Sequence, residues 1–379
     1  MFRFPNSVPV ISERDVQAAV ETLRSGWLAP AGPQVRQFEN DLAHFLSSQD
    51  AVAVSSGTAA LHLALRLAGV GSGDLVVVPT VTFAATAFAV QYLGAVPVLV
   101  DVDEDLNLDP ATLETALCTL SKRGTPLKAC VPVDMYGYPA NYKEITPILE
   151  HYKVTLVQDA AESLGSLRDG FQAGTQGIAG AISFNGNKIM TTGGGGAVSL
   201  RDHEDAVLVR KWCNQSRESV KWYQHHELGY NYRMSSVSAA IGSSQLASLP
   251  TKIAGRRRVR SQYAENLNGK AGLKVPMDAT NVTSNAWLTR VQLDTHASLP
   301  SISSLIQGLA DFGVEARYSW KPLHRQPHFA DCPAFLTGAA DASFASNLLM
   351  PSTEILTVED IECISDLLLK QVSKGSPLN

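Results

Sequence analysis

Short apolar, β-branched runs recur through the first two thirds of the chain, separated by stretches in which apolar residues return at helical spacing. The runs at 51–54, 75–78, 96–100, 129–133 and 155–157 have strand length and composition, and are predicted as strands. Between them, 58–68 carries leucine and alanine on one helical face, and 111–120 follows an Asp109-Pro110 start signal, so both are predicted helices. Strands alternating with helices from about residue 12 to 245 imply a mostly parallel sheet covered by helices on both faces, an α/β domain. Near Pro250 the pattern changes to an arginine-rich helix, Gly/Asn/Thr-rich turns, an apolar strand at 287–293 and a last helix at about 358–372. The expected organisation is a large domain over 12–248 and a smaller α+β C-terminal domain over 249–379, with residues 1–11 an arm packing near the small one.

Composition narrows the function classes. The 379 residues, 45% of them hydrophobic, can bury a deep site. A net charge of −5 leaves no excess of Lys and Arg to neutralise phosphates, so nucleic acid is not an expected partner. The basic run Arg256-Arg257-Arg258 with Arg260 reads as a solvated helix face. No apolar stretch reaches the roughly 18 residues of a membrane span, and Met1-Phe2-Arg3-Phe4-Pro5 lacks a secretory pattern; a cytoplasmic protein with no membrane partner is expected. Five cysteines without CxxC spacing read as free buried thiols. His225 and His226 have no ligand partner at useful spacing, so no metal site is expected.

Three segments carry chemistry. In the first, Ser55-Ser56-Gly57-Thr58-Ala59-Ala60-Leu61 turns a strand into a helix, with Ser56, Gly57 and Thr58 at the positive helix end where a phosphate binds; alone it is equally an ordinary N-cap. The second, Gln158-Asp159-Ala160-Ala161-Glu162, ends a buried strand with a carboxylate, at the edge where open α/β sheets form ligand crevices; alone, Asp159 is read as a helix cap. In the third, Lys188 follows Ser183-Phe184-Asn185-Gly186-Asn187 and precedes Gly193-Gly194-Gly195-Gly196, a small polar loop after a strand; alone, such a lysine is read as solvated. Taken together they offer a phosphate cradle, a carboxylate for a pyridine nitrogen and a Schiff-base lysine, the needs of pyridoxal 5'-phosphate (PLP). Phe83, after another strand, can stack on the pyridine face or serve as core.

Nearly end to end the sequence resembles the DegT/StrS type of PLP-dependent nucleotide-sugar aminotransferases, of PLP fold type I. The motifs that carry the resemblance are Gly26-Trp27-Leu28-Ala29-Pro30-Ala31-Gly32-Pro33 with Phe38-Glu39, the Ser55–Leu61 and Gln158–Gly165 segments, Ser183–Lys188, Gly229-Tyr230-Asn231-Tyr232-Arg233-Met234-Ser235, and Trp320-Lys321-Pro322-Leu323-His324. The resemblance implies an aspartate aminotransferase-like fold in which Ser56, Gly57, Thr58 and Ser183 bind the phosphate, Phe83 stacks on the ring and Asp159 holds the protonated ring nitrogen. It implies that Lys188 forms the Schiff base and transfers the proton, that Asn231 completes the phosphate site of a partner subunit in a homodimer, and that Trp320, Lys321 and His324 meet the sugar nucleotide. L-glutamate is the implied donor, in ping-pong kinetics. There are two departures from the common pattern. Glu162 stands near the expected phenolic oxygen where many relatives have Gln or His, and the four-glycine run lacks the usual Glu. Both resemble the subgroup acting on 4-keto-6-deoxy sugars with an acetamido group, which makes a UDP-2-acetamido-4-keto-2,6-dideoxyhexose the expected substrate and GDP-4-keto-6-deoxymannose, the perosamine route, or a dTDP-keto sugar the alternatives. A dehydratase would have histidine for Lys188, a non-catalytic regulator would not need Asp159, Ser183 and Lys188, and a nicotinamide enzyme would need a GxGxxG turn that is missing.

Overall fold

The computed structural model describes residues 2–373 other than 31, 124, 126 and 298; Met1 of the arm, Ala31 of the first motif and residues 374–379 of the small domain thus lie outside the described residues. The strand-forming runs assemble into one eight-stranded sheet in the order Asp50–Val54, Gly196–Leu200, Ala179–Ser183, Thr155–Asp159, Leu127–Cys130, Leu75–Pro79, Val96–Val100, Ala334–Phe335. All neighbours are parallel except at Gly196–Leu200, which runs against both of its neighbours. The strands are buried almost throughout, as their unbroken apolar runs require when both faces are covered. The run predicted over 129–133 forms a regular strand only to Cys130, but its pairing continues: Val131 donates to the Val77 carbonyl at 2.8 Å, the Pro132 carbonyl accepts from the Asp159 amide at 3.0 Å, and Val133 bridges Asp159.

This parallel arrangement positions the site. The carboxyl ends of Asp50–Val54, Leu75–Pro79, Thr155–Asp159 and Ala179–Ser183 lie along one sheet edge, so the segments after them, with Ser56, Phe83, Glu162 and Lys188, converge there although they are far apart in sequence.

A helix of 32 residues, Ser236–Leu267, runs through the expected 248/249 boundary and through Pro250. Ala239, Leu246 and Leu249 on its first half pack with Phe38 and Leu42 of the large domain. Val259, Tyr263 and Leu267 on its second half pack with Ile361, Ile364 and Leu368 in the core of the smaller unit. That unit has a four-stranded antiparallel sheet, Leu273–Lys274, Thr289–Leu293, Asn347–Met350 and Arg317–Tyr318 in that order. The N-terminal arm is tied to it: Phe4 lies in the same apolar core, and the Asn6 side chain donates to the carbonyls of Glu315 and Leu349.

Two expectations are corrected here. The basic run is not a solvated face. Arg256 and Arg260, one helical turn apart, point inward at 1% and 7% exposure, where Glu354 and Asp278 each accept from them at 2.8 Å. Only Arg257 and Arg258 keep to the outer side. The five cysteines are free, but only Cys130 and Cys213 are buried and Cys363 is exposed. Among the described residues no helix is long and apolar enough to cross a membrane, and no group of side chains is suited to a metal ion.

Candidate active site

The convergent loops enclose a cavity of about 300 Å³ at the sheet edge. Ser56 is the N-cap of the helix Gly57–Leu67, its Oγ accepting from the Ala59 amide at 3.0 Å. By helix geometry the amides of Gly57 and Thr58 have no carbonyl within the helix, so they remain available to an anion, favoured there by the helix dipole. The glycine is required: a Cβ on Gly57 would stand 2.9 Å from the Ser183 Cβ. Across the strand pair, a Cβ on Gly196 would stand 2.5 Å from the Ser56 backbone, so the last glycine of the run is required as well.

Asp159 ends its strand 3% exposed and facing the cavity. Its Oδ2 accepts from the Thr86 hydroxyl at 2.8 Å and its Oδ1 from the Ala161 amide at 3.1 Å. Burial pushes its carboxyl up to about 6, against the pull of those two donors, and the nearby Glu162 adds to the rise. A cation seated against Asp159 would restore its charge, so the group is suited to a protonated ring nitrogen. Phe83 is 63% exposed and lines the cavity.

Lys188 follows the strand Ala179–Ser183, its side chain only 12% exposed. Its Nζ is 3.4 Å from Glu162 Oε1 and 4.0 Å from the centre of the Trp287 ring. The other Glu162 oxygen, Oε2, accepts from the Tyr136 amide at 2.7 Å, and Tyr136 adopts a left-handed φ of 55° to deliver it. Glu162 is thus fixed as an acceptor on one side and pairs with the lysine on the other.

Of the residues singled out in the sequence, Ser56, Gly57, Thr58, Phe83, Asp159, Glu162, Ser183, Lys188 and Trp320 line this one cavity. Lys321, next to Trp320, is exposed and does not line it. His324 turns away: its Nδ1 bonds the Thr80 hydroxyl at 2.7 Å and its Nε2 the Asp341 carboxylate at 3.2 Å. Asn231 lines a different cavity of about 400 Å³, with Arg36, Arg210 and Arg233. His225 and His226 are exposed and bonded to Gln215 and Gln224. Thr86, Tyr136 and Trp287 escaped the sequence reading. Only Thr86 left a signal there, as the second of two hydroxyls four residues apart after a strand; Thr82 bonds it at 2.8 Å.

The sequence pattern of the DegT/DnrJ/EryC1/StrS aminotransferase family matches residues 9–368. A protein of Bacillus subtilis (strain 168) named as a pyridoxal phosphate-dependent aminotransferase, EpsN, is 40% identical, over 96% of this chain and 94% of its own. GDP-perosamine synthase of Caulobacter vibrioides is 34% identical over 93% of each. Among solved structures, a DegT/DnrJ/EryC1/StrS aminotransferase from Brucella abortus superposes with a TM-score of 0.88 at 29% identity, over 95% of both chains.

Proposed function

The chain belongs to the DegT/DnrJ/EryC1/StrS aminotransferase family and is a PLP-dependent sugar aminotransferase of fold type I; from that premise we propose that it moves an amino group from L-glutamate to a nucleotide-linked 4-keto-6-deoxy sugar. The observation that carries this reading is the meeting, at one cavity, of a buried carboxylate at Asp159, the N-terminus of the helix capped by Ser56 with the free amides of Gly57 and Thr58, and the amine of Lys188. These groups fit PLP at its ring nitrogen, its phosphate and its aldehyde. When bound, PLP supplies the electron sink that acidifies the proton on the amine-bearing carbon.

The chain's own residues do the rest. Asp159, held by Thr86 and Ala161, keeps the ring nitrogen protonated. Gly57 and Thr58 amides with Ser183 hold the phosphate, and Phe83 covers the ring face. Lys188, once displaced by the incoming amine, is the base and acid that carries the proton. Glu162, in contact with Lys188, would stand near the cofactor's phenolic oxygen, where a carboxylate would need a shared proton. Trp320 forms the wall on the sugar side, and Lys321 beside it serves the diphosphate. Asn231 reaches the phosphate of a second copy in a homodimer; that it lines a different cavity from the one holding Lys188 in its own chain supports that reading.

For the sugar, the Asn-Gly-Asn-Lys and four-glycine features favour a UDP-linked 2-acetamido-4-keto-2,6-dideoxyhexose. The likeness to GDP-perosamine synthase favours GDP-4-keto-6-deoxymannose as the second reading. Incubation with PLP, L-glutamate and each sugar nucleotide, followed by product mass, separates them. Amination of the UDP sugar alone is the expected result, amination of the GDP sugar alone establishes the second reading, and amination of neither removes both. Mixing inactive Lys188→Ala and Asn231→Ala proteins tests the shared site: random exchange into dimers should restore about a quarter of the wild-type activity, and no recovery would remove the partner role of Asn231.

A further inference from the structure

The buried arginine at 256 and the N-terminal arm meet behind the cofactor lysine. Asn285, fully buried, donates to the carbonyls of Glu162 and Leu164 at 2.9 and 3.0 Å, while its Oδ1 accepts from the Trp287 amide at 2.9 Å. Ala286 between them is left-handed, with φ 52°, a conformation a residue with a Cβ keeps only when its surroundings hold it. This turn aims Trp287, itself 1% exposed, at the lysine loop. Its indole N–H donates to the Asn187 carbonyl at 2.8 Å, and its ring faces Lys188 Nζ at 4.0 Å. The same Asn187 carbonyl accepts from the Ser7 hydroxyl at 3.0 Å. Behind them Arg256 donates to the Trp287 carbonyl at 2.8 Å and to Ser7 Oγ at 3.2 Å, and its Nε is paired with Glu354.

We infer that Trp287 is a positioning residue for Lys188: its indole N–H fixes the peptide that precedes the lysine, and its ring face, together with the Glu162 carboxylate, forms the resting place of the lysine ammonium whenever that amine is free. Ser7 and Arg256 hold the Asn187 carbonyl and the Trp287 backbone in register for this. The inference rests on the proposal that Lys188 is the cofactor lysine. The physical need is plain. An amine on a four-carbon stem must stay near the carbon whose proton it is to take, and a π face beside it steadies the ammonium that results without adding a further base. The charged groups facing Lys188 are Glu162 at 3.4 Å and, through its field, Asp159; Arg256 lies behind the Trp287 backbone. Were Trp287 mere filling, any large apolar side chain would replace it.

The test is the pH dependence of Lys188 acetylation by acetic anhydride in cofactor-free protein, read by peptide mass against the exposed Lys122. Trp287→Leu should lower the midpoint for Lys188 by about one pH unit, because the ammonium loses its ring. Trp287→Phe, which keeps a ring face but no N–H, should stay within a few tenths of a unit of wild type while slowing the L-glutamate half-reaction of the loaded enzyme several-fold. In steady state Trp287→Leu should lower kcat with little change in KM for the sugar nucleotide. Equal midpoints in all three proteins, or equal shifts in Phe and Leu, would overturn the inference. Trp287→Met serves as the ringless variant should Leu not fold. Because the titration is made without PLP, its failure is distinct from failure of the cofactor-lysine reading, which is seen instead as borohydride fixing PLP elsewhere in the wild type.

Discussion

Asp134 and Asp159 make an instructive pair. Both follow parallel strands on the same sheet edge, both are buried, and the Asp134 amide bonds the Asp159 carbonyl at 3.0 Å. Asp134 is saturated: Ser163 and Tyr142 hydroxyls at 2.6 Å, the Gln158 amide at 2.8 Å and the Ala140 N–H at 3.0 Å all donate to it. Asp159 receives only Thr86 and Ala161, and its remaining acceptor capacity opens on the cavity. Burial raises both carboxyls. The difference teaches that burial alone does not mark a functional carboxylate. What marks it is acceptor capacity that the fold leaves unused beside a cavity.

The largest expected effect comes from exchanging the charge at each position. Asp159→Asn should lower transamination on the order of 10²-fold or more and weaken PLP, with little loss of fold, since it removes the partner of the ring nitrogen. Asp134→Asn should do the reverse, costing about 2–3 kcal/mol in denaturant unfolding while kcat holds, because the new NH₂ faces donors. Equal kinetic damage from both would break the comparison.

The pH dependence sharpens it. In cofactor-free protein the Asp159 carboxyl, raised to about 6, keeps a proton that the unfolded chain releases near 3.8. Its contribution to stability is therefore full below about pH 4 and lost as pH rises through 6, an effect of up to about 3 kcal/mol. Denaturation of wild type and Asp159→Asn across pH 4–7 should show two proteins of similar stability near pH 4, with wild type falling behind the variant by up to about 3 kcal/mol as pH rises through 6 and the difference levelling above it. Saturation with PLP should flatten it, because the ring cation holds Asp159 ionised.

The smallest effect is at the cradle. Gly57→Ala puts a Cβ 2.9 Å from that of Ser183 and should weaken PLP roughly tenfold, with global stability changed by about 1–2 kcal/mol. PLP titration by absorbance measures it.

How much of this was legible in the sequence follows from how each part is built. Ser56–Thr58, Asp159 and Lys188 each sit beside an apolar strand within a few residues, so strand, turn and functional group are read in one window. Tyr136 and Trp287 act through contacts with segments 26 and 100 positions away, which no local pattern encodes. The arginine run was misread for the same reason. A helix face of Arg256 and Arg260 looks solvated until Glu354 and Asp278 are brought against it from outside the helix. His324 shows the converse: a motif position adjacent to Trp320 whose ring is committed to Thr80 and Asp341.

The most direct test of the central claim is borohydride reduction of the PLP-loaded protein followed by peptide mass mapping. The account predicts a single modified peptide with the cofactor on Lys188, lost in Lys188→Ala together with the absorbance of the bound cofactor. PLP fixed on another lysine, or none fixed at all, would contradict it.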